Sequence, residues 1–254
     1  MATTFLTLTN ELLRRLNEVT LTTDTFAGAK NVQAIAKDSI NSSIREILQD
    51  GHEFPFLKTT QSQTLTEGTG TYDFPSDMSS VDWDTFYLKT LTSESNTAKA
   101  LPTISFESYT RNYRTIEDAA GTGGRAAPNL VYQTAEEKFG VTPIPNAAYV
   151  VEYVYYKFPN PLGTNATTGV ATDGTDSTHD IPIIPERFNY IIIDGAMVYM
   201  MRFRSNEQSA QIHQQKFMLG MKAMRRLLLD DKLYVESTMI QKPKFSSHML
   251  SLSS

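Results

Sequence analysis

Apolar residues recur at helical spacing near both ends of the chain, whereas the middle consists of short extended runs. Residues 4–18 and 29–50 each carry apolar side chains at three- and four-residue steps, which predicts two amphipathic helices. Gly51 follows the second run at a position where glycine commonly ends a helix. Helical spacing returns after residue 181, so we expect the helices from both ends to pack together.

The region from residue 181 to 231 predicts two consecutive helices. Pro185 suits the first position of a helix, and Ser205 with Gln208 has the S-x-x-Q form of a capping box that restarts one. The first helix is apolar on nearly every side, with Phe188, Ile191, Ile192, Ile193, Met197, Val198, Met200, Met201 and Phe203. A helix that is apolar all round must be covered all round, so we place it at the centre of the fold. Its apolar run is shorter than the roughly 20 residues of a membrane span and contains Asp194, so we interpret it as a core helix.

The second of these helices is amphipathic. Its predicted buried stripe consists of Ile212, Phe217, Met221, Met224 and Leu228. Its polar face carries four cations, which are Lys216, Lys222, Arg225 and Arg226.

Residues 54–159 contain short runs that are rich in β-branched and aromatic residues. Residues 61–65 and 71–74 flank a glycine-containing turn and predict a β-hairpin. Further strands are predicted over residues 81–88, 130–132, 138–141 and 149–156, all as short antiparallel strands. Residues 106–116 are the exception, because Phe106, Tyr109 and Tyr113 lie on one face of a short helix.

The predicted fold class is therefore α+β, with N- and C-terminal helices packed as a helical bundle, a β-rich insertion of antiparallel strands between them in the chain, and an extended C-terminal arm. Residues 1–53 and 181–232 form the predicted helical domain, residues 54–180 the β-rich insertion domain, and residues 233–254 the arm. Within the insertion, residues 160–180 are almost entirely Thr, Gly, Asn, Asp and Ala, with little that could be buried. Loops of that length inside a compact domain are usually functional or disordered.

Composition narrows the classes of function. A chain of 254 residues can bury a sizeable core, and its net charge of −5 argues against binding duplex DNA through a broad basic face. The chain has no cysteine, which excludes disulfides and thiolate metal sites. Its N-terminus lacks a basic segment followed by an unbroken apolar core, so we expect no signal peptide and a soluble protein made inside a cell.

Motifs that carry chemistry are missing from the sequence. The four histidines, His52, His179, His213 and His248, are far apart and show no metal-binding spacing, and no G-x-S-x-G motif occurs. The glycine-rich residues 119–125 lack the G-K-[ST] ending of a phosphate-binding loop. We therefore expect no catalytic residue, no metal site and no cofactor.

One alternative comes from the strand over residues 81–88. Alternation along a strand places the carboxylates of Asp82 and Asp84 on one face and the Trp83 indole on the other. Residues two apart on a strand are separated by about 6.6 Å, which is the expected spacing of the two aspartates. Paired carboxylates beside aromatic rings are what a glycosidase uses. A carbohydrate-binding or glycan-hydrolysing protein is thus the alternative function suggested by these residues.

Three stretches carry a resemblance to a known family. They are TFLTLTNELLRRLNEV near the N-terminus, EFPFLKTTQSQTLTEGTGTYDFPSDMSSVDWDTFYLK, and IPIIPERFNYIIIDGAMVYMMRFR after residue 180. In their order along residues 3 to 230 the chain resembles head-to-tail adaptor proteins of short-tailed bacteriophages, called tail tubular protein A or head completion protein.

The resemblance implies a structural virion protein of the neck or tail, assembled in the host cytoplasm, and no enzyme. The alternatives are then a carbohydrate-binding or glycan-hydrolysing tail component and an interaction protein of another tail or baseplate layer. Such adaptors form a dodecameric ring that joins the portal protein to the tail nozzle protein, and the packaged DNA leaves through the lumen. Residues 233–254 are then a portal-docking arm, with Leu233, Tyr234, Val235, Met239, Ile240, Phe245, Met249 and Leu250 as its apolar contacts. Lys216, Lys222, Arg225 and Arg226 become the hypothesised contacts to neighbouring subunits or the portal.

Overall fold

The computed structural model of the chain describes residues 3–50, 53–89, 98–165, 170–176 and 179–228. Helices lie in both terminal regions and antiparallel strands lie between them, which confirms the predicted α+β class. The predicted docking arm, residues 233–254, lies outside the described residues.

The helices are α1 (Phe5–Arg15), α2 (Thr23–Phe26), α3 (Val32–Leu48), α4 (Phe106–Tyr109), α5 (Thr115–Ala120), α6 (Asn189–Phe203) and α7 (Glu207–Leu228). A π-helical turn (Thr110–Arg114) joins α4 to α5, and 3-10 turns occupy Pro55–Leu57, Gly121–Gly124 and Glu186–Phe188. The strands are β1 (Lys58–Leu65), β2 (Thr71–Tyr72), β3 (Met78–Lys89), β4 (Lys99–Ala100), β5 (Thr103–Ile104), β6 (Leu130–Gln133), β7 (Phe139–Thr142) and β8 (Tyr149–Lys157).

Helix α6 is the centre of the helical layer, as its all-round apolar sequence predicts, and it packs against both α3 and α7. Two glycines allow this close approach. A Cβ atom at Gly195 would lie 2.2 Å from Ser43 Oγ, and one at Gly220 would lie 2.9 Å from Ile191. The Ser43 hydroxyl also donates a 2.9 Å hydrogen bond to the Ile192 carbonyl, which joins α3 directly to the backbone of α6.

Asp194 interrupts the apolar surface of α6 and is paired inside the helical layer. Its Oδ1 lies 3.2 Å from His213 Nδ1 on α7 and 3.8 Å from the Arg15 guanidinium on α1. A carboxylate removed from water is costly unless it is paired and hydrogen-bonded, and these two neighbours supply that pairing. Among the described helices, none is long and apolar enough to cross a membrane.

The start of α7 differs by one residue from the prediction of a capping box at Ser205. Ser205 adopts a left-handed conformation (φ 56°) and ends α6, with its amide donating to the Arg202 carbonyl. Asn206 caps α7 instead, because its Oδ1 accepts a 3.1 Å hydrogen bond from the Ser209 amide. Asparagine is as favourable an N-cap as serine, and the S-x-x-Q pattern alone did not separate the two.

The predicted buried stripe of α7 is wrong at Ile212, which is 51% exposed. Phe217, Met221 and Met224 are buried as predicted, together with Ala210 and Gly220. Ile212 lies five residues before Phe217, a step of about 140° around a helix, so the two side chains point in different directions.

The strands form two four-stranded sheets, ordered β1-β8-β3-β4 and β2-β7-β6-β5. The predicted hairpin between residues 61–65 and 71–74 is wrong, because β1 pairs with β8 and β2 pairs with β7 of the other sheet. The turn between β1 and β2 connects the two sheets and is stabilised by the Tyr72 hydroxyl. This hydroxyl donates a 2.7 Å hydrogen bond to the Thr69 carbonyl and accepts a 2.9 Å hydrogen bond from the Thr66 amide. One pair, β5 with β6, is parallel, which the prediction of antiparallel strands did not include.

The helices and the sheets have separate hydrophobic clusters. One cluster joins α1, α2, α3, α6 and α7 and also takes in Leu57 and Tyr156. The other lies within the β-rich region, and its large aromatic rings include Phe86, Phe139 and Tyr153. The domain boundaries proposed from the sequence stay a prediction.

Replacing Tyr153 with phenylalanine should stabilise the protein by about 1–3 kcal/mol, the typical cost of a buried polar group without a partner. Tyr153 is 1% exposed, its ring stacks on Phe86 at 4.8 Å, and its hydroxyl has no hydrogen-bond partner among the described residues. Burial raises the pKa of Tyr153 from 10.0 to about 12, so this tyrosine weakens the fold as pH rises from 10 towards 12. Urea unfolding at neutral pH and at pH 11 checks both parts. A Tyr153→Phe variant less stable than the parent, or an advantage that does not grow with pH, would contradict them.

Residues 160–165, 170–176 and 179–180, the described part of this loop, pack on the helices, against the expectation that little of it could be buried. The amides of Phe5 and Leu6, at the start of α1, donate to the carbonyls of Asp180 (2.7 Å) and Gly174 (2.9 Å). These bonds satisfy two of the N-terminal amides that a helix leaves without internal partners. Asp180 is fully buried, and its carboxylate accepts from the Thr172 hydroxyl at 2.7 Å and the Asp176 amide at 2.9 Å. The described part of this segment is therefore a cap on the helical layer.

Candidate interaction surface

The outer face of α7 presents both apolar side chains and cations to solvent. Ile212, Leu219 and Leu227 are 51%, 64% and 66% exposed, although the opposite side of the helix is in the core. Lys216, Lys222 and Arg226, three of the four cations predicted to make contacts, are exposed on the same helix. Exposed apolar residues beside cations, carried on a helix that the core holds rigidly, are typical of a protein-binding surface.

The fourth predicted cation, Arg225, is engaged within the fold. Its guanidinium forms a two-point interaction with the Asp50 carboxylate, with Nε 2.7 Å from Oδ2. Its side chain is 29% exposed, against 21% for that of Asp50. This interaction joins the end of α7 to the residues that follow α3. Whether any of the four cations contacts a partner stays a prediction.

A groove of about 480 Å³ opens beside α3. Its α3 side is formed by residues at helical spacing, Asn41, Ile44, Arg45 and Leu48, and its other side by residues 157–164 and 179–183. Most of its lining is apolar, including Phe158, Leu162 and Ile181. Its charged and titratable groups are Arg45, Lys157, His179 and Asp77. No local pattern in the chain indicates this groove, because its two sides are more than 100 residues apart in sequence.

A smaller exposed apolar patch lies on the helical segment of the insertion. Tyr109 stacks on Tyr132 with ring centres 3.8 Å apart, and its hydroxyl donates a 2.9 Å hydrogen bond to Glu117. Partial burial raises the pKa of Tyr109, because the charged phenolate is disfavoured away from water. Phe106 and Tyr113, predicted on the same face, are 38% and 36% exposed. The predicted helical face is thus only partly covered, and Tyr109 is its half-buried residue.

The strand that prompted the carbohydrate alternative has a packing role. Trp83 packs on Phe74 (5.9 Å) and stacks on Phe86 (5.4 Å), so its ring belongs partly to the β-rich core. The pairing of β3 with β8 shifts register between Asp82 and Tyr87, which interrupts the alternation that placed Asp82 and Asp84 on one face. The Asp82 carboxylate lies 3.9 Å from Lys58, a neighbour on the same sheet. This geometry gives no support to a glycan-cleaving pair.

No group of three potential metal ligands occurs among the residues that the structure describes. His213 contacts Asp194 and His179 contacts Asp176, in separate parts of the molecule. His52 and His248 lie outside the described residues. The described surfaces suited to binding another protein segment are the outer face of α7 and the groove beside α3.

Comparison with known protein families gives a match over nearly the whole chain. The sequence model of a family described as SU10 adaptor protein matches residues 3–239, nearly the whole chain. No curated protein matches the chain.

Proposed function

This chain belongs to the SU10 adaptor protein family, and from that premise we propose that it forms a ring between the portal and the tail nozzle of a bacteriophage. Family membership makes it a phage structural adaptor and a component of the virion. Our proposal adds that the ring is dodecameric, that it assembles in the host cytoplasm, and that packaged DNA passes through its lumen without sequence-specific binding. It involves no catalytic step.

The outer face of α7 is the observation that carries this proposal. A closed ring needs two different surfaces on each subunit, because each subunit contacts its neighbours head to tail. Ile212, Leu219 and Leu227 supply exposed apolar area for one such surface, and the cations beside them supply charge selectivity. The exposed Phe106, Tyr113 and Ile116 of the insertion are available for another.

The charge of the chain supports a lumen through which DNA passes freely. Each phosphate that a protein neutralises strengthens DNA binding steeply, so a lumen lined with lysine and arginine would retain the genome. The chain carries 28 acidic residues against 23 lysines and arginines. We propose that its cations are directed towards protein partners.

The C-terminal residues 233–254 are the proposed portal-docking arm. Ordering 22 residues costs on the order of 1–2 kcal/mol each in backbone entropy. Apolar side chains return about 1.5–3 kcal/mol each when buried, so the arm's apolar residues offset that cost only where a surface buries them, and we propose that the portal provides it for most of them. A segment of this length reaches about 70 Å when extended, which is enough to cross onto a neighbouring protein.

Reversing two charges on the outer face of α7 should weaken binding to the portal. The Lys222→Glu, Arg226→Glu variant should co-sediment with portal rings about tenfold less tightly, because like charges then face the partner. Arg14→Glu with Lys30→Glu is the matched control, since it changes one arginine and one lysine that are exposed elsewhere on the helical layer. Equal losses in both variants would mean that the effect is one of net charge and that this face is not a contact.

Truncation after Lys232 tests the arm. We expect the shortened protein to stay folded and to lose at least about tenfold in affinity for portal rings, about 1.4 kcal/mol. Co-sedimentation over a range of concentrations measures the change. Undiminished binding by a folded truncated protein would show that the arm is not the docking element.

A further inference from the structure

We propose that the groove beside α3 binds residues 230–236 of the same chain, the segment that closely follows α7. This inference is independent of the proposed ring, since it concerns the chain by itself. It rests on where α7 ends, on the length of chain that follows, and on the match between the groove and the sequence of that segment.

The end of α7 lies beside the end of α3 that forms the groove. The interaction of Arg225 with Asp50 brings the last turn of α7 to the residues after α3. Leu48 and Arg45, in the last turn of α3, line the groove. The chain therefore leaves Leu228 near one end of the groove.

The segment is long enough to reach along the groove. Residues 233–235 follow Leu228 by five to seven positions, which span roughly 16–23 Å when extended. An extended segment makes few contacts of its own, so its apolar side chains gain from burial only where a surface receives them. The groove offers such a surface, since most of its lining is apolar.

The sequence of the segment matches the groove in both hydrophobicity and charge. Residues 230–236 read DDKLYVE, so Leu233, Tyr234 and Val235 lie between Lys232 and Glu236, and Asp230 and Asp231 precede the lysine. The segment carries three acidic residues and one cation. The apolar lining of the groove suits these three side chains. Arg45 on its rim is exposed and has no ion pair with any described residue, whereas Lys157 lies 3.8 Å from Asp77. Arg45 is therefore the cation available to the carboxylates that flank the apolar triplet.

Docking in the groove would affect the first part of the proposed portal arm. Residues 233–235 belong to both, so groove and portal compete for them. A subunit that has not met a portal then keeps this apolar triplet covered.

Engineered disulfides test the inference in the full-length protein, because the chain has no cysteine of its own. The first pair is Ile181→Cys with Tyr234→Cys, since Ile181 lines the groove and is 39% exposed. A second pair, Asn160→Cys with Tyr234→Cys, places the cysteine at another lining residue that is exposed. The control pair is Leu219→Cys with Tyr234→Cys, on the outer face of α7 and within reach of the same tether.

At low protein concentration we expect both groove pairs to form an intramolecular disulfide about tenfold faster than the control pair, the ratio that a docking preference of about 1.4 kcal/mol produces. Adding Arg45→Glu should remove most of that advantage. Equal rates for groove and control pairs would overturn the proposal. A disulfide-linked dimer in place of the intramolecular product would assign the groove to a second copy and overturn the same-chain occupant. Rates unaffected by Arg45→Glu would overturn the assignment of residues 230–236, because their carboxylates define the match.

Discussion

Valine in place of Gly195 should lower the free energy of unfolding by about 3 kcal/mol, the upper part of the range for overpacking a well-packed core. Even the Cβ atom of the new side chain would lie 2.2 Å from Ser43 Oγ and 2.9 Å from the Phe217 ring. Both neighbours are buried, and Ser43 is held by its hydrogen bond to the Ile192 carbonyl. Helix α6 would have to move away from α3 and α7 together.

Gly28→Val is the control, because a Cβ atom at Gly28 would meet nothing within 4 Å. Chemical unfolding of both variants measures the difference. The measurement is sharper with hydrogen exchange, since α6 amides should lose protection in the Gly195 variant only. A Gly195→Val protein as stable as the Gly28 control would mean that the three helices do not approach each other as described.

Alanine in place of Asp180 should cost about 3 kcal/mol and release residues 170–180 from the helical layer. The substitution leaves the Thr172 hydroxyl and the Asp176 amide without the carboxylate that accepts from them. It also removes a charge that acts on Lys37, whose ammonium lies 4.1 Å from the Phe26 ring centre and has a pKa lowered by burial. The substitution therefore removes two hydrogen bonds within residues 170–180 and an attraction to Lys37 on α3.

The amides of Phe5 and Leu6 give the most specific readout of that change, because their acceptors are the carbonyls of Asp180 and Gly174. We expect the amide hydrogens of Phe5 and Leu6 to exchange with solvent faster in Asp180→Ala than in the parent protein, measured at the same pH. Asp173→Ala is the control, since this exposed carboxylate accepts only from nearby Thr175 among the described residues. Unchanged protection of both amides in Asp180→Ala would contradict the capping role of the segment.

The helical layer was predictable from sequence because its signal is local. Apolar residues on nearly every side of α6 require cover, and helices from both ends of the chain provide it for most of them. The prediction is wrong at Phe203, which ends α6 and is 53% exposed. Ile212 shows the limit of such counting, since a five-residue step placed it on the wrong side of α7. The predicted cap of α7, Ser205, is also one residue too early, because Asn206 caps this helix.

Features that depend on partners distant in sequence were not predictable in the same way. The turn after β1 looks like that of a hairpin, but β1 and β2 each find a better partner more than 60 residues later. Residues 160–180 look unburiable because they lack large apolar side chains. Their glycines and one buried carboxylate nevertheless fit them against Phe5, Phe26 and the start of α1.

The candidate surfaces show the same difference between features set by local sequence and features set by distant contacts. The cations of α7 were identifiable from helical spacing, and three of them are exposed. That Arg225 is instead paired with Asp50 depends on how two helix ends meet, which spacing does not reveal. The groove beside α3 likewise exists only once residues 157–164 and 179–183 lie against the helix.

The most direct test of the proposed function is electron microscopy of purified portal rings incubated with this protein. We predict an added ring of density below the portal, with the portal's rotational symmetry and the lumen left open. The protein truncated after Lys232 should leave the portal bare under the same conditions. Portal rings that remain unchanged with the full-length protein, or density bound off the axis without that symmetry, would contradict the proposal that this adaptor forms the ring joining portal to tail.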